Sequence, residues 1–484
     1  MRTMMCQVLL GASLLTAGCA NKSADDAPRR LSQDSADKAP SAGVGGASTP
    51  TAPAPTMALD EGKAGKPAES RGAPAAPMAG SATGWGAKDA KRDRSAAIET
   101  ARSAGVLGAS DPEPARSGVA AGEWDDNANY RDYTKWLAQS AGGIARLDTR
   151  DREFLVVADR DGKPVPNCKI TISGQHGSAS LVTMASGRAL LFPHALGLAD
   201  ETLTATASCL QARTSAQIST KTADNVAKLE LPTARALPAK RTIELAFVLD
   251  TTGSMSEEIE AVKGTIRTVA AKLSTSQTDV RIGLVEYKDR GDGQVTRTFQ
   301  FSSDLAQFGK SVDGLYASGG GDMPEDMQAG LSDALDKLAW REDSVARMMV
   351  VIADAPPHLD YQDEKDYADA ARRAAARGIK LFTVSASGMD STGQIVMRQM
   401  AQFTGASNMF VLRGGAGPQS VGGGDPKSSC GGTHQQYSSG NLDQLIIGKV
   451  RQELLSLDAD PTRIAGRGQD ESAKPCDQRI VLAI

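Results

Sequence analysis

Apolar strands that alternate with amphipathic helices from residue 243 onward constrain the fold of this chain most strongly. Ile243–Leu249 is an apolar run of strand length. After a short loop, apolar residues recur at spacings of three and four, which is typical of a helix with one buried face. These residues are Ile259, Val262, Ile266, Val269 and Leu273. This pattern predicts a doubly wound α/β fold, in which a mostly parallel sheet carries helices on both faces.

The same pattern continues towards the C-terminus. Further strands are expected at Met348–Ala353, Leu381–Ser385 and Met409–Leu412, and further helices around Met327–Leu338, Ile395–Phe403 and Asn441–Leu457. We therefore predict that the α/β domain covers residues 242–458, followed by a C-terminal tail at 459–484.

Oxygen-bearing side chains follow two of the predicted strands. Asp250, Thr252 and Ser254 come directly after the first strand, and Asp354 ends the strand Met348–Ala353. Open α/β sheets bind ligands at the carboxyl ends of their strands, and oxygen ligands are those that Mg²⁺ prefers. The alternative is that Asp, Thr and Ser merely cap the N-terminus of the next helix. Two loops with the same chemistry at one sheet edge favour a cation site.

A glycine-rich loop between these two strands offers a further ligand. Ser318–Asp326 leads into the helix that begins near Met327, and Asp322 is its candidate ligand. Glu325 in the same loop is the alternative acid.

Together these residues resemble the metal-ion-dependent adhesion site of the von Willebrand factor type A family. Asp250, Thr252 and Ser254 match its Asp-x-Ser-x-Ser loop with Thr at the first Ser, while Asp322 and Asp354 match the second and third loops. Val280–Asp289 resembles the family's second strand. The resemblance implies a bound Mg²⁺, or Mn²⁺ or Ca²⁺ in its place, with one coordination position that a carboxylate of a protein partner fills.

The loop Gly-Gly-Gly-Asp-x-Pro-Glu-Asp also resembles the type A domains of alpha-kinase proteins. We do not expect a kinase domain here. We also do not expect nucleotide binding, because Gly309-Lys310-Ser311 has Asp304 where a phosphate-binding loop needs its leading glycine. The net charge of −4 and the pI near 5.8 argue against nucleic acid as a partner.

Two other functions stay open besides metal-bridged binding. A cation with an open position could activate water, but no His, Cys or Lys in these motifs is placed as a base, so we do not expect an enzyme. Alternatively, the domain could be a structural scaffold of the cell envelope that needs no metal-bridged partner.

The N-terminus has the features of an export signal. Arg2 precedes the short apolar run Val8–Ala17, and Leu15–Cys19 resembles the lipobox of bacterial lipoproteins. The resemblance implies that residues 1–18 are removed and that Cys19 is lipidated, with sorting to the outer membrane. The alternative is an ordinary secretory signal with a chance cysteine.

The segment at 19–120 is rich in Ala, Ser, Gly and Pro, and we predict a disordered tether. Aromatic residues appear from Trp124, and a helical connector capped by Asp126 or Asn127 is expected at 121–150. A calcium loop is the alternative for its acidic cluster. Ala121–Asn127 resembles a phrase that recurs upstream of type A domains in bacterial surface lipoproteins.

Short apolar strands separated by turns predict a small antiparallel β-sandwich at 151–235. It resembles immunoglobulin-like or carboxypeptidase regulatory-like modules. Of the six cysteines, Cys6 and Cys19 lie at the N-terminus, which leaves an even number in an exported chain. Proximity along the sequence favours the pairs Cys168–Cys209 and Cys430–Cys476.

Overall fold

The computed structural model describes residues 119–411 and 438–467, apart from positions 274, 276, 363 and 364. The strands in this part of the chain are β1 Ala120–Trp124, β2 Glu153–Ala158, β3 Lys169–Ser173, β4 Ser178–Val182, β5 Arg188–Leu191, β6 Thr202–Cys209, β7 Ala212–Ser219, β8 Val226–Glu230, β9 Arg241–Asp250, β10 Thr278–Tyr287, β11 Thr296–Ser302, β12 Ala346–Ala353, β13 Ile379–Ser385, β14 Asn408–Val411 and β15 Ser438–Asn441. The α-helices are α1 Tyr130–Ser140, α2 Ile259–Leu273, α3 Leu305–Asp313, α4 Met327–Asp336, α5 Tyr367–Ala375, α6 Ser391–Phe403 and α7 Leu442–Ser456.

A central sheet organises the α/β part, with the strand order β11-β10-β9-β12-β13-β14-β1-β15. The strands from β10 to β14 in this order are parallel, whereas β11, β1 and β15 pair in the antiparallel sense. Side chains of β9 alternate between two hydrophobic cores: Leu245 and Phe247 face one, and Ala246 and Val248 face the other. The predicted doubly wound, mostly parallel sheet is therefore confirmed.

The helical periodicities also identified the buried faces. Ile259, Val262 and Ile266 of α2 pack in the first core, and Met327 and Leu331 of α4 pack in the second. The elements β11, α3, α5 and β15 had not been predicted.

The segment at 121–124 is a strand of the central sheet, so its prediction as part of a helical connector was wrong. Strand β1 lies between β14 and β15, and Val119 already packs in the first core. Ala-Ala-Gly-Glu-Trp lacks the alternation that marks a strand locally, because its pairing partners lie far along the chain. The helix that follows was expected, and Tyr130, Tyr133 and Trp136 of α1 are buried.

The residue that begins α1 also differs from the prediction. Asn129 is the N-cap and makes no side-chain capping bond. Asp125 accepts hydrogen bonds from the backbone N–H groups of Asn127 and Ala128, and Asp126 pairs with Arg398. The acidic cluster thus organises a turn before the helix, rather than the cap expected from Asp126 or Asn127.

The β-sandwich consists of one sheet ordered β5-β2-β8 and a second ordered β4-β3-β6-β7. Both sheets contribute to one hydrophobic core. Strands β2 and β8 are parallel, which corrects the purely antiparallel prediction. Strands β4 and β7 had been missed because their sequences, Ser-Ala-Ser-Leu-Val and Ala-Arg-Thr-Ser-Ala-Gln-Ile-Ser, are largely polar.

The disulfide Cys168–Cys209 is present and joins the start of β3 to the end of β6, with the two Cα atoms 5.2 Å apart. The predicted pair Cys430–Cys476 lies outside the described residues, as do the signal segment 1–18, Cys19 and the tether up to residue 118. No helix within the described ranges is long and apolar enough to cross a membrane.

Candidate functional site

The loop that follows β9 lies at the carboxyl edge of the central sheet and is held by its neighbours. Thr251 N–H donates to the carbonyl of Tyr287 at the end of β10, at 3.0 Å. Gly253 N–H donates to the carbonyl of Gly319 in the second loop, also at 3.0 Å. The backbone of the first loop is therefore fixed to the strand on one side and to the glycine-rich loop on the other.

Four of the predicted ligands form one continuous hydrogen-bonded row. The Thr252 hydroxyl donates to Asp250 Oδ1 at 2.7 Å and lies 3.1 Å from the Ser254 hydroxyl. Ser254 Oγ in turn donates to Asp354 Oδ1 at 3.0 Å. Asp250, Thr252 and Asp354 are buried. The first and third loops thus meet as predicted.

Asp322 does not join this row. Its side chain is exposed, and in the described part of the chain no hydrogen bond or ion pair connects it to Asp250, Thr252, Ser254 or Asp354. Asp322 thus lies apart from the row in this structure, and its role as the second-loop ligand stays a prediction beside the alternative of Glu325.

Glu325 is the second-loop acid at the site. It is 2% exposed, and its carboxylate lies beside Thr252 and Asp250. Its backbone N–H donates to the carbonyl of Pro356 at 3.0 Å, which ties the second loop to the third. The isolated bridge between Glu325 and Pro357 extends this connection.

Gly320 explains the glycine run in the second loop. It has a φ of +68°, a conformation that favours glycine. A Cβ at this position would lie 2.8 Å from Glu325 Oε1 and 3.2 Å from Thr252 Cβ. A side chain here would push Glu325 away from Thr252, so the sequence needs glycine to bring the two loops together.

The three carboxyl groups at the site destabilise one another when ionised. Burial raises the pKa of Asp250, and burial together with the charge of Asp250 raises the pKa of Asp354. Burial and the same charge raise the pKa of Glu325 to about 8. A bound cation would remove this repulsion.

Two buried carboxylate oxygens at the site are acceptors that a cation could use. Within the described residues, Asp250 Oδ2 and Glu325 Oε2 are buried without a hydrogen-bond partner. In the described part of the chain, no three or more His, Cys, Asp or Glu side chains are grouped so that they alone could hold a metal ion. A cation here would therefore depend on the hydroxyls of Thr252 and Ser254 as well as on carboxylates, which is chemistry suited to a hard cation such as Mg²⁺.

Lys288 also lies at this edge of the sheet and had not been predicted as part of the site. Its ammonium group donates to the carbonyls of Thr251 and Ser318 and to the Ser318 hydroxyl. Burial lowers the pKa of Lys288. Its position directly after β10, where a parallel strand ends at the same edge, was the signal that could have identified it.

Comparison with known proteins shows which family the residues around the site resemble. A family model described as the von Willebrand factor type A domain matches residues 244–414. Alpha-protein kinase vwkA of Dictyostelium discoideum is 38% identical over 130 residues, which is 26% of this chain and 20% of that protein. This match agrees with the resemblance expected from the second loop.

Two animal proteins show the same restricted similarity. Von Willebrand factor A domain-containing protein 7 of Homo sapiens is 41% identical over 92 residues, 19% of this chain and 10% of that protein. Hemicentin-2 of Mus musculus is 29% identical over 185 residues, 38% of this chain and 3% of that protein. The chain spans a fifth or less of the length of these curated relatives. The similarity, the doubly wound sheet and the three loops at its edge together identify residues 244–414 as a von Willebrand factor type A domain.

Proposed function

We propose that this chain binds a protein partner through a divalent cation at the edge of the central sheet. Type A domains commonly mediate protein–protein interaction, often in a metal-dependent way. The observation that carries the proposal is the buried, unpartnered Asp250 Oδ2 at the end of the row formed with Thr252, Ser254 and Asp354. The cation is Mg²⁺, with Mn²⁺ or Ca²⁺ as alternatives.

Each side chain has a distinct part in holding the cation. Asp250 would supply negative charge through Oδ2, since Oδ1 already accepts from the backbone N–H and the hydroxyl of Thr252. The hydroxyls of Thr252 and Ser254 would turn lone pairs towards the cation, and Asp354 orients Ser254. Glu325 would contribute a second charge beside Thr252. When bound, the cation would attract a carboxylate of the partner.

Metal titration of the full chain tests this proposal. We use Cys19→Ser as background, so that the protein is not lipidated, and measure Mg²⁺ and Mn²⁺ binding by calorimetry. Asp250→Ala and the isosteric Asp250→Asn are expected to abolish measurable binding, because each removes the buried charge. Asp322→Ala is the matched control, and its affinity should stay within about twofold of the background, the size of effect expected for a surface side chain without a contact.

Two results would contradict the metal site. One is the absence of Mg²⁺ and Mn²⁺ binding to the folded background protein, and the other is unchanged binding in Asp250→Asn. Loss of binding in Asp322→Ala would restore Asp322 as the second-loop ligand in place of Glu325. Hydrolysis of a substrate that is lost in Asp250→Asn would favour the alternative of a metal-dependent hydrolase. A protein that stays folded and keeps its binding partners without metal would favour a structural scaffold.

The raised pKa values at the site predict that Mg²⁺ stabilises the chain more at pH 8 than at pH 5.5. A carboxyl group with a raised folded-state pKa contributes stability below its unfolded pKa, and this contribution is lost as the pH rises through the folded value. The metal-free fold therefore weakens towards pH 8, where the pKa of Glu325 lies. Protons and cation compete for the same carboxylates, so metal binding is favoured as the protons leave.

Thermal unfolding with and without MgCl₂ measures this effect. At a free Mg²⁺ concentration of 100 times Kd, the gain at pH 8 should approach about 2.7 kcal/mol. Asp250→Asn should show no gain at either pH, and NaCl of equal ionic strength controls for screening. An Mg²⁺-induced gain of equal size at pH 5.5 and pH 8 would contradict the prediction.

For the location of the protein, we propose a lipid anchor at Cys19 in the bacterial cell envelope, at the outer membrane. The disulfide Cys168–Cys209 supports an oxidising compartment outside the cytoplasm.

Cys19→Ser is expected to move the protein from the membrane fraction to the soluble fraction, because the variant has no thiol to accept the lipid. Fractionation of cells that express the full chain measures this. Ala20→Ser is the matched control and should stay with the membrane. Continued membrane association of Cys19→Ser would defeat the lipid anchor.

A further inference from the structure

A cavity with a volume of about 120 Å³ lies between the β-sandwich and the α/β domain. Residues of β2 and β5 line it on the sandwich side, and residues of β13 and α7 line it on the other side. Lys380, near the amino end of β13, is part of the lining, whereas the carboxyl end of β13 pairs with Ala353, just before Asp354. The cavity therefore lies towards the sheet edge opposite the candidate cation site, and the proposed function does not use it.

One side of the cavity is apolar and is built from both parts of the chain. Phe154 and Leu190 come from the sandwich, and Phe382 comes from the central sheet. All three are buried. An apolar cavity of about 150 Å³ can hold benzene, so this cavity has room for an apolar body of similar size.

Four basic side chains also line the cavity, and three of them form ion pairs with acidic side chains of the chain. These pairs are Arg152 with Asp224, Lys380 with Glu453, and Lys449 with Glu123. The fourth basic residue is Arg188, and among the described residues no carboxylate forms an ion pair with it. Arg188 is thus the positive charge of the lining that lacks a direct counter-charge.

Arg188 is held through backbone carbonyl groups instead. Its Nε donates to the carbonyl of Pro461 at 2.7 Å, and its Nη2 donates to those of Asp460 and Arg463 at 3.3 Å and 2.6 Å. Nη1 forms no hydrogen bond with a described residue. Burial lowers the pKa of Arg188, although the charges of Glu453 and Asp460 act in the opposite direction. Nη1 is therefore the donor that remains for an anionic group.

The two acidic side chains of the lining are already engaged. Glu453 pairs with Lys380, and Asp125 accepts hydrogen bonds from the backbone N–H groups of Asn127 and Ala128 at 2.7 Å and 3.1 Å. Four basic side chains thus stand against two acidic ones within the lining. This balance favours an anion over a cation in the cavity.

We propose that the cavity binds a small organic acid, whose carboxylate pairs with Arg188 and whose apolar body lies against Phe154, Leu190 and Phe382. Ligand cavities commonly lie between domains and combine an apolar wall with a few polar groups that fix the orientation of the ligand. Water could accept a hydrogen bond from Arg188, but it supplies no counter-charge and gains nothing against three apolar side chains. A bound acid would contact both the sandwich and the α/β domain and stabilise their attachment to each other.

Calorimetry of the full chain with Cys19→Ser tests this inference, with sodium benzoate as the probe. Benzyl alcohol offers a similar body without the charge, acetate offers the charge without the body, and benzylammonium inverts the charge. We expect benzoate to bind, benzyl alcohol and acetate to bind about tenfold more weakly, and benzylammonium not to bind. Saturating benzoate should also raise the temperature of unfolding.

Two variants locate the bound probe. Arg188→Met should weaken benzoate binding about tenfold and leave the affinity for benzyl alcohol nearly unchanged, whereas Arg267→Met, in an exposed ion pair, is the matched control. Ser456→Phe places a ring at the cavity from the end of α7 without altering Arg188, and it should abolish binding of both probes. Ser311→Phe on α3, which is also partly exposed, is its control and should change nothing.

The outcomes separate this inference from the proposed function. No benzoate binding to the folded full chain would overturn the inference and leave the cavity to water. Equal affinity for benzoate and benzyl alcohol would exclude recognition of the charge, and unchanged benzoate binding in Ser456→Phe would exclude this cavity. Asp250→Asn should bind benzoate like the background protein, so the cavity can fail while the metal site holds, and the reverse.

Discussion

Replacing Arg398 with methionine is expected to lower the free energy of unfolding by about 3–5 kcal/mol, because it leaves the carboxylate of Asp126 buried without its counter-charge. Arg398 Nε donates to Asp126 Oδ2 at 2.8 Å, and Nη2 donates to Oδ1 at 2.5 Å. The side chains are 1% and 2% exposed. The guanidinium also lies over the ring of Trp136, 3.6 Å from its centroid.

Loss of the ion pair between Arg398 and Asp126 would weaken the attachment of the segment that contains β1. Asp126 also accepts from Trp124 Nε1 at 3.0 Å, and Trp124 ends β1. Burial already raises the pKa of Asp126 in spite of Arg398, so without Arg398 the group would protonate more readily, which limits the cost. Strand β1 and helix α1 should loosen together.

Urea unfolding followed by circular dichroism and tryptophan fluorescence measures this prediction. Arg267→Met is the matched control: it breaks an exposed ion pair with Asp313 and should cost less than about 1 kcal/mol. Adding Asp126→Asn to Arg398→Met should recover part of the loss, because the isolated charge is gone. A cost for Arg398→Met no larger than that of Arg267→Met would show that the buried pair does not hold the segment in place.

Replacing both Cys168 and Cys209 with alanine is expected to lower stability by about 4 kcal/mol. The disulfide closes a loop with a sequence separation of 41 residues, and cross-linking such a loop restricts the unfolded chain by an amount of this size. Cys168 is fully buried in the sandwich core, so alanine also removes packed volume. The loss should be largest in the β-sandwich.

Chemical denaturation with and without dithiothreitol measures the contribution of the bond. The reductant should destabilise the wild-type chain by about 4 kcal/mol more than the Cys168→Ala/Cys209→Ala variant. The change in the variant controls for effects of the reductant elsewhere, including on the predicted pair Cys430–Cys476. Equal stability of the wild-type and double-variant chains under oxidising conditions would contradict the prediction.

The segment Ala121–Asn129 shows why part of the fold could not be predicted from the sequence. The sequence assigned this segment no role, but three of its polar residues have partners far along the chain. Glu123 pairs with Lys449 and accepts from Ser407, Asp126 pairs with Arg398, and the Asn127 amide donates to the carbonyl of Ala406 at 3.1 Å. These contacts attach the segment to α6, to the residues just before β14 and to α7. No local sequence pattern indicates them.

Local patterns were sufficient where the physical cause is local. The period of the apolar residues depends on the geometry of a single helix or strand, so α2, α4, β9 and β12 were predicted with nearly correct bounds. Short or polar elements such as β4, β7 and β11 carry too little periodicity, and their hydrogen-bond partners in the sheets decide their structure.

The sequence by itself determined that an α/β sheet would bring Asp250, Thr252, Ser254 and Asp354 to one edge, because parallel strands all end on the same side. The tertiary structure alone decided that Glu325, and not Asp322, lies buried against Thr252 and Asp250. That choice depends on how the glycine-rich loop turns against Thr252 and joins Pro356, and such contacts between separate loops are set by packing rather than by spacing along the chain.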